Sequence, residues 1–240
     1  MAVSIDTVYQ RVLALANKEQ RGYITPQEYN LLANQAQLLI FDEYFYEIDK
    51  RLEEHGNSTE YSDMLDLTAE KLSPFQNTNV NMSAVSGATM TLPTSPTVHR
   101  LGTVFYNDST RSVKVERIDA NQAELMGQTA LYAPTQLRPV YVRRTEATLQ
   151  FFPTTASPAY ATSTVNCNFI AKPAQAFWGY TVVNSQALYD ATLSTDYTLH
   201  ASEETELVYK VLELAGVVLN KPGLVQIATN EETALIAKKQ

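Results

Sequence analysis

Residues 17 to 30, NKEQRGYITPQEYN, carry the spacing of a calcium-binding loop: with Asn17 at loop position 1, Gly22 falls at position 6, Ile24 at 8 and Glu28 at 12. The ligands do not follow. Position 3 is Glu19, position 5 is Arg21 and position 1 is a neutral Asn. A guanidinium where an oxygen ligand belongs repels a dication, and the oxygen count falls short of the six to eight that calcium takes. The same letters read better as a corner between two helices. Gly22 suits the left-handed conformation that ends a helix, and Thr25-Pro26-Gln27-Glu28 sets a hydroxyl at the N-cap, proline at the first helical position and a carboxylate at N3. Thr25 and Glu28 are therefore expected to be structural caps, with no calcium bound.

Other residues able to do chemistry are sparse. There is no G-x-S-x-G, P-loop, G-x-G-x-x-G or H-E-x-x-H. His55, His99 and His200 are far apart, and none has a second His, a Cys or a paired carboxylate at metal-ligand spacing. The acidic pairs Glu53/Glu54, Glu203/Glu204 and Glu231/Glu232 sit at expected helix ends or exposed faces, where a solvated role outweighs acid-base work. These readings predict no catalytic residue, no metal and no cofactor, and the chain is not expected to be an enzyme.

Three aromatic groups remain. FDEYFYEI (41 to 48) is a ligand-stacking surface or a packing seam, and its helical spacing favours packing. RPVYVRRTEATLQFFP sets Arg138, Arg143 and Arg144 beside aromatics, as nucleic-acid-binding sheets do. Neighbours on a strand point to opposite faces, however, which favours an edge or an intersubunit salt bridge for Arg143 and Arg144. Trp178 and Tyr180 suggest, as an alternative, a glycan-binding β module.

Composition limits the partners. Of 240 residues, 45% are hydrophobic, enough for one substantial core or two modest ones. A formal charge of -8 and a pI near 4.9 argue against gripping nucleic-acid phosphates as the main task. The single cysteine, Cys167, excludes an intramolecular disulfide and fits a reducing cytoplasm. MAVSIDTVYQRV lacks the basic n-region and apolar run of a signal peptide, and no stretch has the length and apolarity of a membrane span.

Periodicity supplies the elements. Val8, Val12 and Leu15 mark a helix from Asp6 to about Asn17, and a second, ~40 Å long, is expected from Pro26 to about Glu54. The second is apolar on more than one stripe between 38 and 48, so it needs several neighbours. A shorter helix is expected over Glu60 to Leu72, followed by the polar tract NTNVNMSAVSGATMTLPTSPT, which reads as an extended arm or an irregular excursion. Strand signals occupy 99–106, 111–118, 138–145, 147–153 and 163–173, with a short helix from Asp119 to Leu131 between the second and third. Ser202, ahead of Glu203 and Glu204, is expected to cap a helix carrying the stripe Leu207 to Leu219, and a last helix is expected over about 224–238. The economical fold is α+β: a helical bundle from both chain ends with an inserted antiparallel β domain, divided as 1–75, 76–200 and 201–240.

SIDTVYQRVLALANKEQRGYITPQEYNLLANQAQLLIF, LQFFP, NFIAKPAQAFWGY and LHASEETELVYKVLELAGVVL together resemble a family of structural proteins of tailed phages, especially marine short-tailed and crAss-like phages. The likeness spans nearly the whole chain. It implies a virion protein made in the host cytoplasm, similar in plan to the head-tail adaptor (connector) rings that dock under a portal in the phage neck. The implied partners are copies of itself in a ring, portal and tail proteins, and DNA that passes through the lumen without sequence-specific binding; no membrane is implied. Placement elsewhere in the tail or on the capsid is the alternative. Within a ring, Phe41, Tyr44, Phe45 and Tyr46 are expected at the contact between subunits, and the polar arm around 76–97 is expected to reach a neighbour.

Overall fold

The computed structural model describes residues 2–17, 24–53, 59–108, 111–154, 160, 164–218, 226, 229, 230 and 233. The chain opens with a short strand β1 (Ala2–Val3) and three helices, α1 (Ile5–Asn17), α2 (Pro26–Glu53) and α3 (Thr59–Leu72). A 3-10 turn, Ser73–Phe75, leads into β2 (Gln76–Asn81), β3 (Ser83–Ser86), β4 (Thr89–Thr91), β5 (Val98–Asp108) and β6 (Arg111–Arg117). Helix α4 (Ala120–Gln128) precedes β7 (Val140–Arg143), β8 (Thr148–Phe152), β9 (Val165–Ala171), β10 (Tyr180–Val183), β11 (Gln186–Tyr189) and β12 (Tyr197–His200). A second 3-10 turn, Ala201–Glu203, opens into α5 (Glu204–Val218). The fold is α+β. The Gly22 corner and His55 lie outside the described residues, as does the helix expected at 224–238 apart from four isolated helical positions.

Two compact units divide the chain: Met1–Pro74 with Pro173–Gln240, and Phe75–Lys172. Residues 173–200, which the sequence grouped with the β-rich part, thus belong with the helices. The reason is a set of hydrogen bonds from α2 to this segment, described below.

In the helical unit, α1 buries Ile5, Val8, Tyr9, Val12 and Ala16. Its first backbone N–H, on Ile5, donates to Asp196 Oδ1 at 2.9 Å, so a residue far along the chain satisfies a donor that the helix itself cannot. Helix α2 starts as the sequence predicted. Glu28 N–H donates to Thr25 Oγ1 at 3.3 Å while Thr25 N–H donates to Glu28 Oε2 at 3.0 Å, the reciprocal pair of a capping box. Helix α5 packs on α1 and α2 through Leu207, Val208, Val211, Leu212 and Ala215, each worth up to ~1.5–3 kcal/mol for the larger aliphatics. Tyr29 donates to the Ile5 carbonyl at 3.2 Å, leaving the Tyr197 hydroxyl to donate to the Tyr29 oxygen at 2.9 Å. Burial pushes both phenols above their usual range.

The second unit is built on one eight-stranded sheet, in the order β2-β9-β5-β6-β7-β8-β4-β3. The antiparallel sheet expected from the sequence is in fact mixed, because β6 and β7 run parallel. The reason is α4: a parallel neighbour requires a crossover long enough to return to the starting edge, and 118–139 supplies it. A second correction concerns 76–97. Instead of an arm, this tract forms β2, β3 and β4, pairing with β9 and β8. Its Met82, Ala88, Met90 and Leu92 point into the core, and its Asn, Ser and Thr face outward. Strands β2 and β3 stand at opposite ends of the sheet order, yet only Met82 separates them in the chain. The sheet therefore curls, bringing its two end strands next to one another at Met82, around Val104, Tyr106, Leu149, Phe151, Tyr160 and Phe169.

Candidate interaction surfaces

Thr25 and Glu28 are structural, as expected; the Thr25 backbone N–H, and then its hydroxyl, hold the Glu28 carboxyl below its usual range. Ser202 is not the cap. His200 takes that place, its Nδ1 accepting from the Ser202 N–H at 3.3 Å, because the chain makes a 3-10 turn before α5 begins. Glu203, expected to be solvated, is fully buried beside Lys71 Nζ at 2.9 Å and accepts from Ser202 Oγ at 3.0 Å. Lys71 also lies 5.8 Å from the Tyr44 ring centroid. This buried pair ties α3 to the start of α5, and removing either partner would strand a charge. Among the described residues no cluster of His, Cys, Asp or Glu has the makings of a metal site, and no helix is long and apolar enough to cross a membrane.

The aromatic group on α2 splits between inside and outside. Phe41 and Tyr44 are buried in the chain's own core, Phe45 is half-buried against Phe41, and Tyr46 is 70% exposed. Phe41 and Tyr44 are thus committed to the core and closed to a neighbour. Leu39 (41% exposed), one of the extra apolar residues noted between 38 and 48, and Leu31 (75%), which the sequence reading missed, share the Tyr46 side of the helix at spacings of eight and seven residues, opposite Tyr29, Ala33, Ile40 and Tyr44. The signal was available: apolar residues off the main stripe, on a helix already filled on the other side.

Three amides of α2, Asn30, Asn34 and Gln37, read the extended segment 174–178 as a neighbouring strand would. Asn34 donates to Ala176 O at 2.8 Å and accepts from Ala176 N–H at 2.9 Å, and Asn30 does the same with Trp178 at 3.3 and 2.8 Å. Gln37 donates to Ala174 O and accepts from Thr198 N–H. Helical spacing of i, i+4, i+7 meets the period-2 spacing of the segment. The ladder seats Trp178, which is buried, donates from Nε1 to Asp6 at 3.0 Å and packs 4.5 Å from the Tyr9 ring centroid. An indole so enclosed cannot stack on a sugar, so the glycan reading loses its main residue.

Beyond Trp178 the chain makes a two-stranded ribbon, β10 with β11, in the register Tyr180↔Tyr189 to Val183↔Gln186. Asn184 and Ser185 close it, both with positive φ as a type I′ turn requires. Val182 and Val183 are adjacent and both exposed, as are Leu188 and Tyr189, so apolar side chains stand uncovered on both faces. A two-stranded ribbon alone is marginal in water. Its base is held by Gly179, where a Cβ would meet the Leu193 backbone at 2.6 Å.

In the β unit, Arg143 donates to the carbonyls of Thr145 and Glu146, and Arg144 to Gln150 Oε1 at 2.6 Å, so both close the β7–β8 turn locally. Arg138 instead borders a groove of about 230 Å³ along the crossover, with Lys114, Met126, Leu131, Tyr132 and Leu137. Leu131 is 84% exposed, and Leu125, Tyr132 and Leu137 are also exposed. Charge is unevenly shared. The helical unit holds 21 acidic against 10 basic residues, and the β unit 5 acidic against 8 basic, so a chain of net charge -8 has one strongly negative and one mildly positive unit. No protein-family model matches the chain, and no curated protein matches it.

Proposed function

We propose that the chain is a virion structural protein of a tailed phage: one subunit of a closed adaptor ring at the head-tail junction, below the portal. The observation that carries this reading is the outer stripe of α2, Leu31, Leu39 and Tyr46, on a helix whose opposite side already holds the core. Such a stripe offers a neighbouring subunit an apolar surface to pack on. In this reading the helices from both chain ends act as one bundle, and a lateral neighbour covers α2. The β10–β11 ribbon takes the role of arm that the sequence had given to 76–97. A closed ring also explains why apolar surface recurs at separate places, since each subunit meets two neighbours through different patches. The acidic balance of the helical unit suits a conduit through which DNA passes without sticking. The family that the sequence resembles points the same way, with portal and tail proteins as the axial partners.

The test is a reconstruction of the phage particle. Several symmetric copies around the DNA channel, each with Leu31, Leu39 and Tyr46 against another subunit, are the expected result. The chain on the capsid surface or at a fibre tip overturns the reading.

A further inference from the structure

We infer that the β10–β11 ribbon of one copy seats its apolar side chains in the Lys114/Tyr132/Arg138 groove of a second copy. The inference rests on the ring reading for its head-to-tail repetition and adds to it the two surfaces that meet. The groove lies between β6, the end of α4 and the segment leading into β7, and its apolar wall is made by Met126, Leu131, Tyr132 and Leu137. At about 230 Å³ it is smaller than the ~300–1,000 Å³ of small-molecule pockets, which suits one or two inserted side chains better than a ligand.

Charge identifies the occupant. Lys114 and Arg138 flank the apolar wall, Glu116 is the one anion in the lining, and among the described residues neither cation takes part in an ion pair. The partner surface should therefore be apolar and mildly acidic. Between residues 173 and 195 the sole charged residue is Asp190, at the foot of a ribbon that presents Val182, Val183, Leu188 and Tyr189, and this ribbon belongs to the unit with 21 acidic against 10 basic residues. A second copy supplies these features without any other protein. Because ribbon and groove are different surfaces of one chain, each contact leaves one of each unused, and the contact repeats head to tail, as the ring reading requires.

The test uses the full chain with a photoreactive phenylalanine analogue in place of Tyr132, mixed with isotope-labelled chain carrying the natural residue. Cross-links from position 132 to peptides covering 180–193 of the labelled partner are expected. Their yield should fall about tenfold in Lys114→Glu/Arg138→Glu and on raising the salt from ~0.05 to ~0.5 M. Val182→Asp, at an exposed position that leaves the fold intact by circular dichroism, should remove them. Assembly by sedimentation with cross-links mapping elsewhere overturns this inference and leaves the ring reading standing. Absence of any intermolecular cross-link up to millimolar chain overturns it too, and the ring reading then depends on the particle reconstruction alone. Protection of position 132 by a single-stranded oligonucleotide, with no chain-to-chain cross-link, would reassign the groove to nucleic acid.

Discussion

Thr25 and Glu28 exchange hydrogen bonds at the start of α2, and this small motif links a sequence pattern to a measurable quantity. Thr25→Ala should lower stability by ~1 kcal/mol, read from the denaturant midpoint. The pH dependence has a definite sign. Glu28 is held below its ordinary range when folded, so its contribution is complete above about pH 4.3 and is lost as the pH falls through the lowered value. Thr25→Ala should therefore cost more at pH 6 than at pH 2. Cys167 behaves oppositely. Burial in the sheet core pushes its thiol up to about 11, and no side-chain area is open to a reagent. Iodoacetamide at pH 8 should leave the folded chain unmodified over hours and react fully in denaturant; rapid alkylation of folded chain would contradict the closed core. The cap was legible in the sequence because its four residues are contiguous. Burial of Glu203 was not, since it depends on Lys71, which lies more than a hundred residues away in sequence.

At the scale of elements, helix α2 does more than supply apolar surface. Its amides Asn30, Asn34 and Gln37 stand in for a strand and hold 174–178, which is why that segment joins the helical unit. Asn34→Ala removes the partners of both the Ala176 carbonyl and its N–H, and should destabilise the chain by ~1–3 kcal/mol at unchanged denaturant slope. Asn34→Asp should be no milder, because a carboxylate keeps only the acceptor role and faces the Ala176 and Asn30 carbonyls. Helix limits followed closely from periodicity and caps: α2 was expected to start at Pro26 and α3 to end at Leu72, and both do. The five strands marked by β-branched and aromatic runs are all present. Strands β2, β3 and β4 escaped because only Val80, Val85 and a few Met and Leu positions carry a strand signal among Asn, Ser and Thr, and an end strand is recognisable only once its partner is known. The parallel pair likewise depends on where a crossover returns, which local pattern does not encode.

For the molecule as a whole, the helical unit is assembled from both ends of the chain while the β unit is continuous. Removing 202–240 should uncover the faces of α1 and α2 that α5 covers, yielding insoluble protein; a soluble, helical monomer would argue against the packing. The same arrangement has a consequence for synthesis. On the ribosome α1 and α2 emerge roughly 150 residues ahead of α5, an interval of about 8–30 s at ~5–20 residues per second. The β unit is complete well before that interval ends. Arrest-peptide force measurements should thus record one folding event soon after Lys172 clears the exit tunnel and a second only after Val218 does. Between the two events the faces of α1 and α2 on which α5 packs wait without that cover, so the yield of folded chain depends on how the nascent chain is sheltered during translation.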